Sequence, residues 1–235
     1  MNNAVTPSEF WLRIGSPRRA VVVVAHPDDE SFGLGAVLSG LVDAGTSVSV
    51  VCFTHGEAST LDATSDLGAR REGELRAAAA ELGIDSVALF DYADGYLAEV
   101  DRSALCVLVD SQLGGADLVV TFDSCGVTGH PDHQAASAVA RSVAVLRGLA
   151  VLEWGVGPEV AEALRAELGA CFVPLSEDAG AVVIEIEVDR QRQFAAIACH
   201  RSQATDNPVL ARRLALQGSV ERVRWRTAQG AVTPG

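Results

Sequence analysis

Val21-Val22-Val23-Val24-Ala25-His26-Pro27-Asp28-Asp29-Glu30 is the stretch on which the fold turns. Its β-branched run reads as a buried strand. The run ends in a histidine and adjacent carboxylates, at the edge where α/β sheets bind ligands. The pattern returns further on: Val119-Val120-Thr121-Phe122 is a second apolar run, and Gly129-His130-Pro131-Asp132-His133 follows it. Two strand ends that each deliver His and Asp suggest a metal site.

Strands are expected at 20–25, 47–53, 86–91, 117–122, 150–154 and 181–188. Helices are expected at 6–13, 30–44, 68–82, 101–113, 132–147, 158–168 and 189–201. Thr6-Pro7-Ser8-Glu9 is a capping-box pattern with Pro at the first helical position. Segment 206–226 is ambiguous, with strand expected at 219–226. Strands alternating with helices predict an α/β fold: a Rossmann-like, doubly wound, mostly parallel sheet with helices on both faces. The 235 residues suit one such domain, 20–235, after an N-terminal extension, 1–19. The polar loop 54–67 is long for a compact domain, which favours a functional role.

The formal net charge of −13 argues against a nucleic-acid binder and against binding to an anionic membrane surface. All 18 basic residues are Arg, so Schiff-base chemistry and a phosphate-loop lysine are excluded. The five cysteines form no C-x-x-C pair, which fits a reducing, cytoplasmic compartment without a disulfide scaffold. No apolar run approaches the roughly 18 residues needed to span a bilayer. Gly33-Leu34-Gly35 comes too late after the strand for a dinucleotide fingerprint, and Leu38 stands where the third glycine should be.

His26 and Asp29 lie three residues apart around a turn that Pro27 stiffens. With His133 they make a three-ligand set that suits a borderline metal such as zinc and leaves a position for water. Zinc lowers the pKa of such a water to about 7, and the same ligands tolerate Fe2+. Asp28 is then the general base. His130 donates a hydrogen bond or proton across the reacting carbonyl, and Asp132 holds its imidazole in the useful tautomer. Each residue alone has a plainer reading: a satisfied polar group for a histidine, a favourable helix N-terminus for Asp28-Asp29-Glu30. The joint occurrence at two strand ends outweighs those readings.

Ala25-His26-Pro27-Asp28-Asp29-Glu30 together with Gly129-His130-Pro131-Asp132-His133 resembles the LmbE-like, or PIG-L, family of zinc-dependent N-deacetylases. Thr54-His55-Gly56-Glu57, Arg71-Glu72-Gly73-Glu74-Leu75, Asp91-Tyr92-Ala93-Asp94-Gly95 and His200-Arg201-Ser202-Gln203 are similar to weaker family segments, so the resemblance runs over about residues 20–203. It implies hydrolysis of an N-acyl group, commonly acetyl on a glucosamine unit. It also implies His26, Asp29 and His133 as zinc ligands, Asp28 as base, and His130 at the oxyanion or leaving amine with Asp132 behind it. Arg71 and Asp94 match positions that touch sugar hydroxyls, and Glu57 belongs to the same expected substrate-binding set. Thr128, the fourth of that set, stands where some members carry a tyrosine that assists the oxyanion. The expected partner is an N-acylated sugar or conjugate. A thiol-conjugate amidase with the same site is the nearest alternative, and a non-catalytic metal or ligand binder is another. Self-association is left open.

Overall fold

The structure is a computed structural model and describes residues 4–62 and 64–227. In chain order the elements are α1 (Pro7–Arg13), β1 (Arg19–Val24), α2 (Asp29–Phe32), α3 (Gly35–Asp43), β2 (Ser47–Thr54), α4 (Leu67–Leu82), β3 (Ser86–Tyr92), α5 (Arg102–Gln112), β4 (Leu118–Phe122), α6 (Gly126–Gly129), α7 (Pro131–Arg147), β5 (Ala150–Gly155), α8 (Pro158–Leu168), β6 (Val182–Glu187), α9 (Gln191–Cys199), α10 (Arg201–Ala204), α11 (Pro208–Gln217) and β7 (Val220–Arg226). One sheet runs in the order β3-β2-β1-β4-β5-β7-β6. The first five of these strands pair in parallel, while β7 lies antiparallel to both of its neighbours.

The valine run explains the layering. Side chains alternate across a strand, so Ala20, Val22 and Val24 enter one core with Val48, Val50 and Leu38. Val21, Val23 and Ala25 enter a second core with Val51, Phe53 and Val139. A central strand covered on both faces must be apolar throughout, and this one is. From β1 the chain winds through β2 to β3, then returns to build β4 and β5 on the other side. The order therefore reverses between β1 and β4, and the carboxyl ends of those two strands flank a crevice. His26 follows β1, and His130 and His133 follow β4.

Three boundaries differ from expectation. The helix expected at 30–44 is broken into α2 and α3 around Gly33. A Cβ there would lie 2.5 Å from the Phe122 ring and 3.1 Å from Trp154, so the break brings two aromatic rings against the chain. The helix expected at 189–201 ends at Cys199, and His200 divides it from α10. The ambiguous tail holds a full helix, α11, ahead of β7.

The capping box forms as expected, with Thr6 Oγ1 accepting from Glu9 N and Glu9 returning to Thr6 N at 3.0 Å. The helix it starts buries Phe10 and Trp11 in the main core, and Val5 pairs with Ile186. The described part of segment 1–19 is thus packed into the domain and lines none of the crevice. All five cysteines are free. No helix among the described residues is long and apolar enough to cross a membrane.

Candidate active site

At the end of β1 the backbone turns sharply. Asp28 adopts φ +123°, a region that side chains rarely enter and that marks sites held by their surroundings. What holds it is Glu30, fully buried, which accepts from Asp28 N at 3.0 Å, from Ser31 Oγ at 2.6 Å and from His200 Nε2 at 2.7 Å. Asp28 Oδ2 in turn receives the Arg71 guanidinium at 3.0 Å. Burial pushes the Asp28 carboxyl up to about 6, with Arg71 pulling the other way and Asp29 adding to the rise.

Asp29 is fastened by its own turn: Oδ2 accepts from Ala25 N at 3.1 Å and His26 N at 2.9 Å. Burial opposes its charge, but His133, His26 and these N–H groups outweigh burial and hold it well below the usual carboxylate range. Its other oxygen faces His133 Nε2 at 3.1 Å.

The two histidines meet at 3.1 Å, His26 Nδ1 against His133 Nε2. Their outer nitrogens fix the tautomers. His133 Nδ1 lies 3.2 Å from Gly126 O and donates to it. His26 Nε2 lies 3.0 Å from Asp94 Oδ1 and 3.4 Å from Asp132 Oδ2, so it carries a proton as well. With both rings neutral, the two inner nitrogens aim lone pairs at the same point, beside the Asp29 carboxylate. Burial disfavours charge on His26, but Asp132, Asp94 and Asp29 overcome it and push the group up to about 10, so the ring holds a second proton, on Nδ1, that a cation bound at this point would displace. Imidazole nitrogens converging with a carboxylate, each imidazole backed by an oxygen, form a donor set that suits a divalent borderline cation.

His130 brings its ring to within the same cluster, and one nitrogen each of His26, His130 and His133 fall within 4.8 Å of one another. Asp29 meets the two inner nitrogens pairwise, at 3.1 Å from His133 Nε2 and 3.8 Å from His26 Nδ1. His130 Nδ1, however, accepts from Asp132 N at 3.2 Å, which leaves the proton of the neutral ring on Nε2, in the cavity wall. Burial, with His26 and His133 adding, lowers its pKa.

Asp132 is where expectation and structure part. Its carboxylate does not touch His130. Oδ2 accepts from Gly95 N at 2.7 Å and Oδ1 from Leu97 N at 3.0 Å, and the side chain backs His26 instead. Only its backbone N–H orients His130. Of the expected sugar contacts, Arg71, Asp94 and Thr128 line the cavity and Glu57 does not. Arg71 lines the cavity from a buried position, where it binds Gly56 O at 2.6 Å, Pro27 O and Asp28. Asp94 is engaged by His26 and by Ala58 N at 2.9 Å. Glu57 accepts from Asp94 N at 3.0 Å and does not line the cavity. Thr128 is exposed at the rim and stays free for a ligand.

The cavity measures about 560 Å3. Sequence reading missed its apolar wall of Phe32, Phe122, Trp154, Phe172 and Leu210, because such residues look like any core. It also missed the pairing of Glu30 with His200 behind the Asp28 turn. The loop 54–67 is tied in through Ser59 Oγ, which donates to Gln203 Oε1 at 2.7 Å, while Glu74 holds Ser202 through N at 2.9 Å and Oγ at 2.6 Å.

The family model PIG-L, described as GlcNAc-PI de-N-acetylase, matches residues 21–144. A 1D-myo-inositol 2-acetamido-2-deoxy-alpha-D-glucopyranoside deacetylase of Nocardioides sp. is 29% identical over 88% of this chain and 89% of its own. The N-acetylglucosaminyl-phosphatidylinositol de-N-acetylase of Bos taurus is 29% identical over 80% of this chain and 76% of its own. Among solved structures, the A40926 pseudoaglycone deacetylase Dbv21 matches the fold with a TM-score of 0.67, at 23% identity over 92% of this chain and 99% of that one.

Proposed function

The chain belongs to the PIG-L family of GlcNAc-PI de-N-acetylases, and from that premise we propose that it hydrolyses the N-acetyl group of an amino-sugar-containing small molecule with the help of one divalent metal, zinc in the first instance. The observation that carries the reading is the pair of inner imidazole nitrogens, His26 Nδ1 and His133 Nε2, meeting beside Asp29 in a cavity that Asp28 also lines. The names of the relatives support the acyl group and the sugar: the Nocardioides and Bos taurus proteins are both deacetylases of an N-acetylglucosaminyl unit. Release of free amine from N-acetylglucosaminides is the test.

His26, Asp29 and His133 would hold the metal, which when bound supplies a Lewis acid to the acyl carbonyl and makes water easier to deprotonate. The chain's own groups do the rest. Asp28 takes a proton from the attacking water as its oxygen adds to the acyl carbon. A base near pH 6 stays ionised at neutral pH yet retains useful basicity. His130 presents Nε2–H to the carbonyl oxygen as charge develops there, a role its lowered pKa suits because the ring stays neutral before the reaction. When the C–N bond breaks, the proton held by Asp28 passes to the leaving amine, and the products are acetate and the amino sugar.

Arg71 is a positioning residue in this scheme. It favours the ionised form of Asp28, so its removal raises the pKa of that carboxyl, and the enzyme loses its base at a higher pH. Arg71→Gln is expected to move the acid limb of the kcat/KM profile upward by about one unit or more, the usual effect of an opposite charge at this distance. Arg70→Gln, on the next residue and paired with Asp62 at the surface, leaves the limb in place. A raised KM with an unmoved limb would instead make Arg71 a substrate contact.

A further inference from the structure

Four arginines among the described residues are buried: Arg71, Arg190, Arg213 and Arg224. Three have a carboxylate partner, Arg71 with Asp28, Arg190 with Glu221 and Arg224 with Glu153. Arg213 is 4% exposed, lines the cavity, and has no carboxylate within 4.0 Å among the described residues. Its NH1 donates to Gln217 Oε1 and its NH2 to Phe32 O, which leaves part of a five-donor fork unused. Glu221, the acid whose charge acts on Arg213, is already engaged. Arg190 takes one oxygen, and Trp154 Nε1 and Gln217 Nε2 take the other at 2.7 and 2.8 Å. One carboxylate thus serves two guanidinium groups. Burial lowers the Arg213 pKa only to about 10, so the side chain stays charged at neutral pH. A buried cation that must share its counter-charge with a second one is stabilised when a further anionic partner arrives with the ligand.

The route from the histidines to this cation is aromatic. His133 lies 5.0 Å from Phe122, Phe122 lies 5.5 Å from Trp154, and Arg213 Cζ lies 5.2 Å from the Trp154 ring centre. We propose that the cavity recognises a substrate whose sugar carries an apolar, ring-sized substituent ending in an anionic group, a carboxylate or a phosphate, with Arg213 as the anion's partner and Phe122 and Trp154 as the wall along which the substituent lies. The sugar part of this assignment rests on the deacetylase reading; the anion part rests on Arg213 alone.

The test uses glucosaminides, which carry no amide to cleave. Binding of para-carboxyphenyl glucosaminide, its neutral methyl ester and the para-phosphonophenyl analogue is measured by calorimetry on the intact chain and on Arg213→Gln and Arg213→Lys. The acid is expected to bind at least about tenfold more tightly than the ester, the scale of a hydrogen bond to a charged group. Arg213→Gln abolishes the preference and Arg213→Lys keeps part of it, and the tighter of carboxylate and phosphonate names the natural anion. Equal binding of acid and ester to the unaltered chain overturns the proposal, a comparison that does not depend on any variant folding. So does a preference that survives Arg213→Gln. The N-acetylated forms are assayed for hydrolysis in parallel. If the preference holds and none is cleaved, the deacetylase reading fails while the anion site stands; if the neutral form is cleaved and no preference exists, the reverse is true.

Discussion

His133→Ala is expected to strip the metal from the protein and abolish deacetylation. His133 supplies one of two imidazole nitrogens 3.1 Å apart, and Gly126 O holds its outer N–H so that the inner lone pair is fixed before any ligand arrives. Losing merely an outer partner of such a ligand costs about 10–100-fold in metal affinity or activity. Losing the ligand itself removes a coordination bond and leaves His26 and Asp29 to hold a cation by themselves, so the effect exceeds that range. Metal content after dialysis is the measurement. His55→Ala is the control, because His55 faces Asp91 at 3.0 Å and lies outside the cavity wall. Full retention of zinc by His133→Ala would remove this residue from the ligand set.

Asp28→Asn separates the base from the ligands. The amide keeps the shape and accepts from Arg71, yet it takes no proton from water. Metal content is expected to stay near one per chain while kcat falls by about 10²–10⁴, the span of a lost general base. Asp29→Ala, one residue along, is expected to lose the metal, since its carboxylate faces His133 Nε2 and anchors the His26 backbone. The two neighbours differ in their partners: Asp28, at φ +123°, meets Arg71, while Asp29 meets His133. If both variants lose metal alike, the division of roles is wrong.

The parallel sheet was legible because Val21–Val24 alternates between two cores and so had to be apolar at every position. The meeting of His26, Asp29 and His133 was legible because the turn after a strand at the crevice leaves few places for His and Asp to go. What lay across the fold was not. Asp132 stands next to His133 in sequence, yet which imidazole its carboxylate meets depends on where Gly95 and Leu97 bring their N–H groups. Arg71 carries a helical spacing that says nothing of Pro27 O and Gly56 O waiting to bind it. The helix at 208–217 did have a signal. Asn207 caps it by accepting from Leu210 N at 2.9 Å, and Pro208 takes the first position, a start pattern as clear as the one read at Thr6-Pro7. The close approach at Gly33 had none, because the ring packed against it, Phe122, comes from another strand.

The most direct test is a metal titration of the chelated protein with an N-acetylglucosaminide as substrate, following free amine and acetate together. The two products are expected to appear in equal amounts, at a rate that rises in proportion to added zinc and levels off at one ion per chain, with Asp28→Asn binding the same ion and giving almost no product. Equal amine release by the chelated and the zinc-loaded protein, or none from either across N-acetylglucosaminides, would contradict a metal-dependent N-deacetylase built on His26, Asp29 and His133.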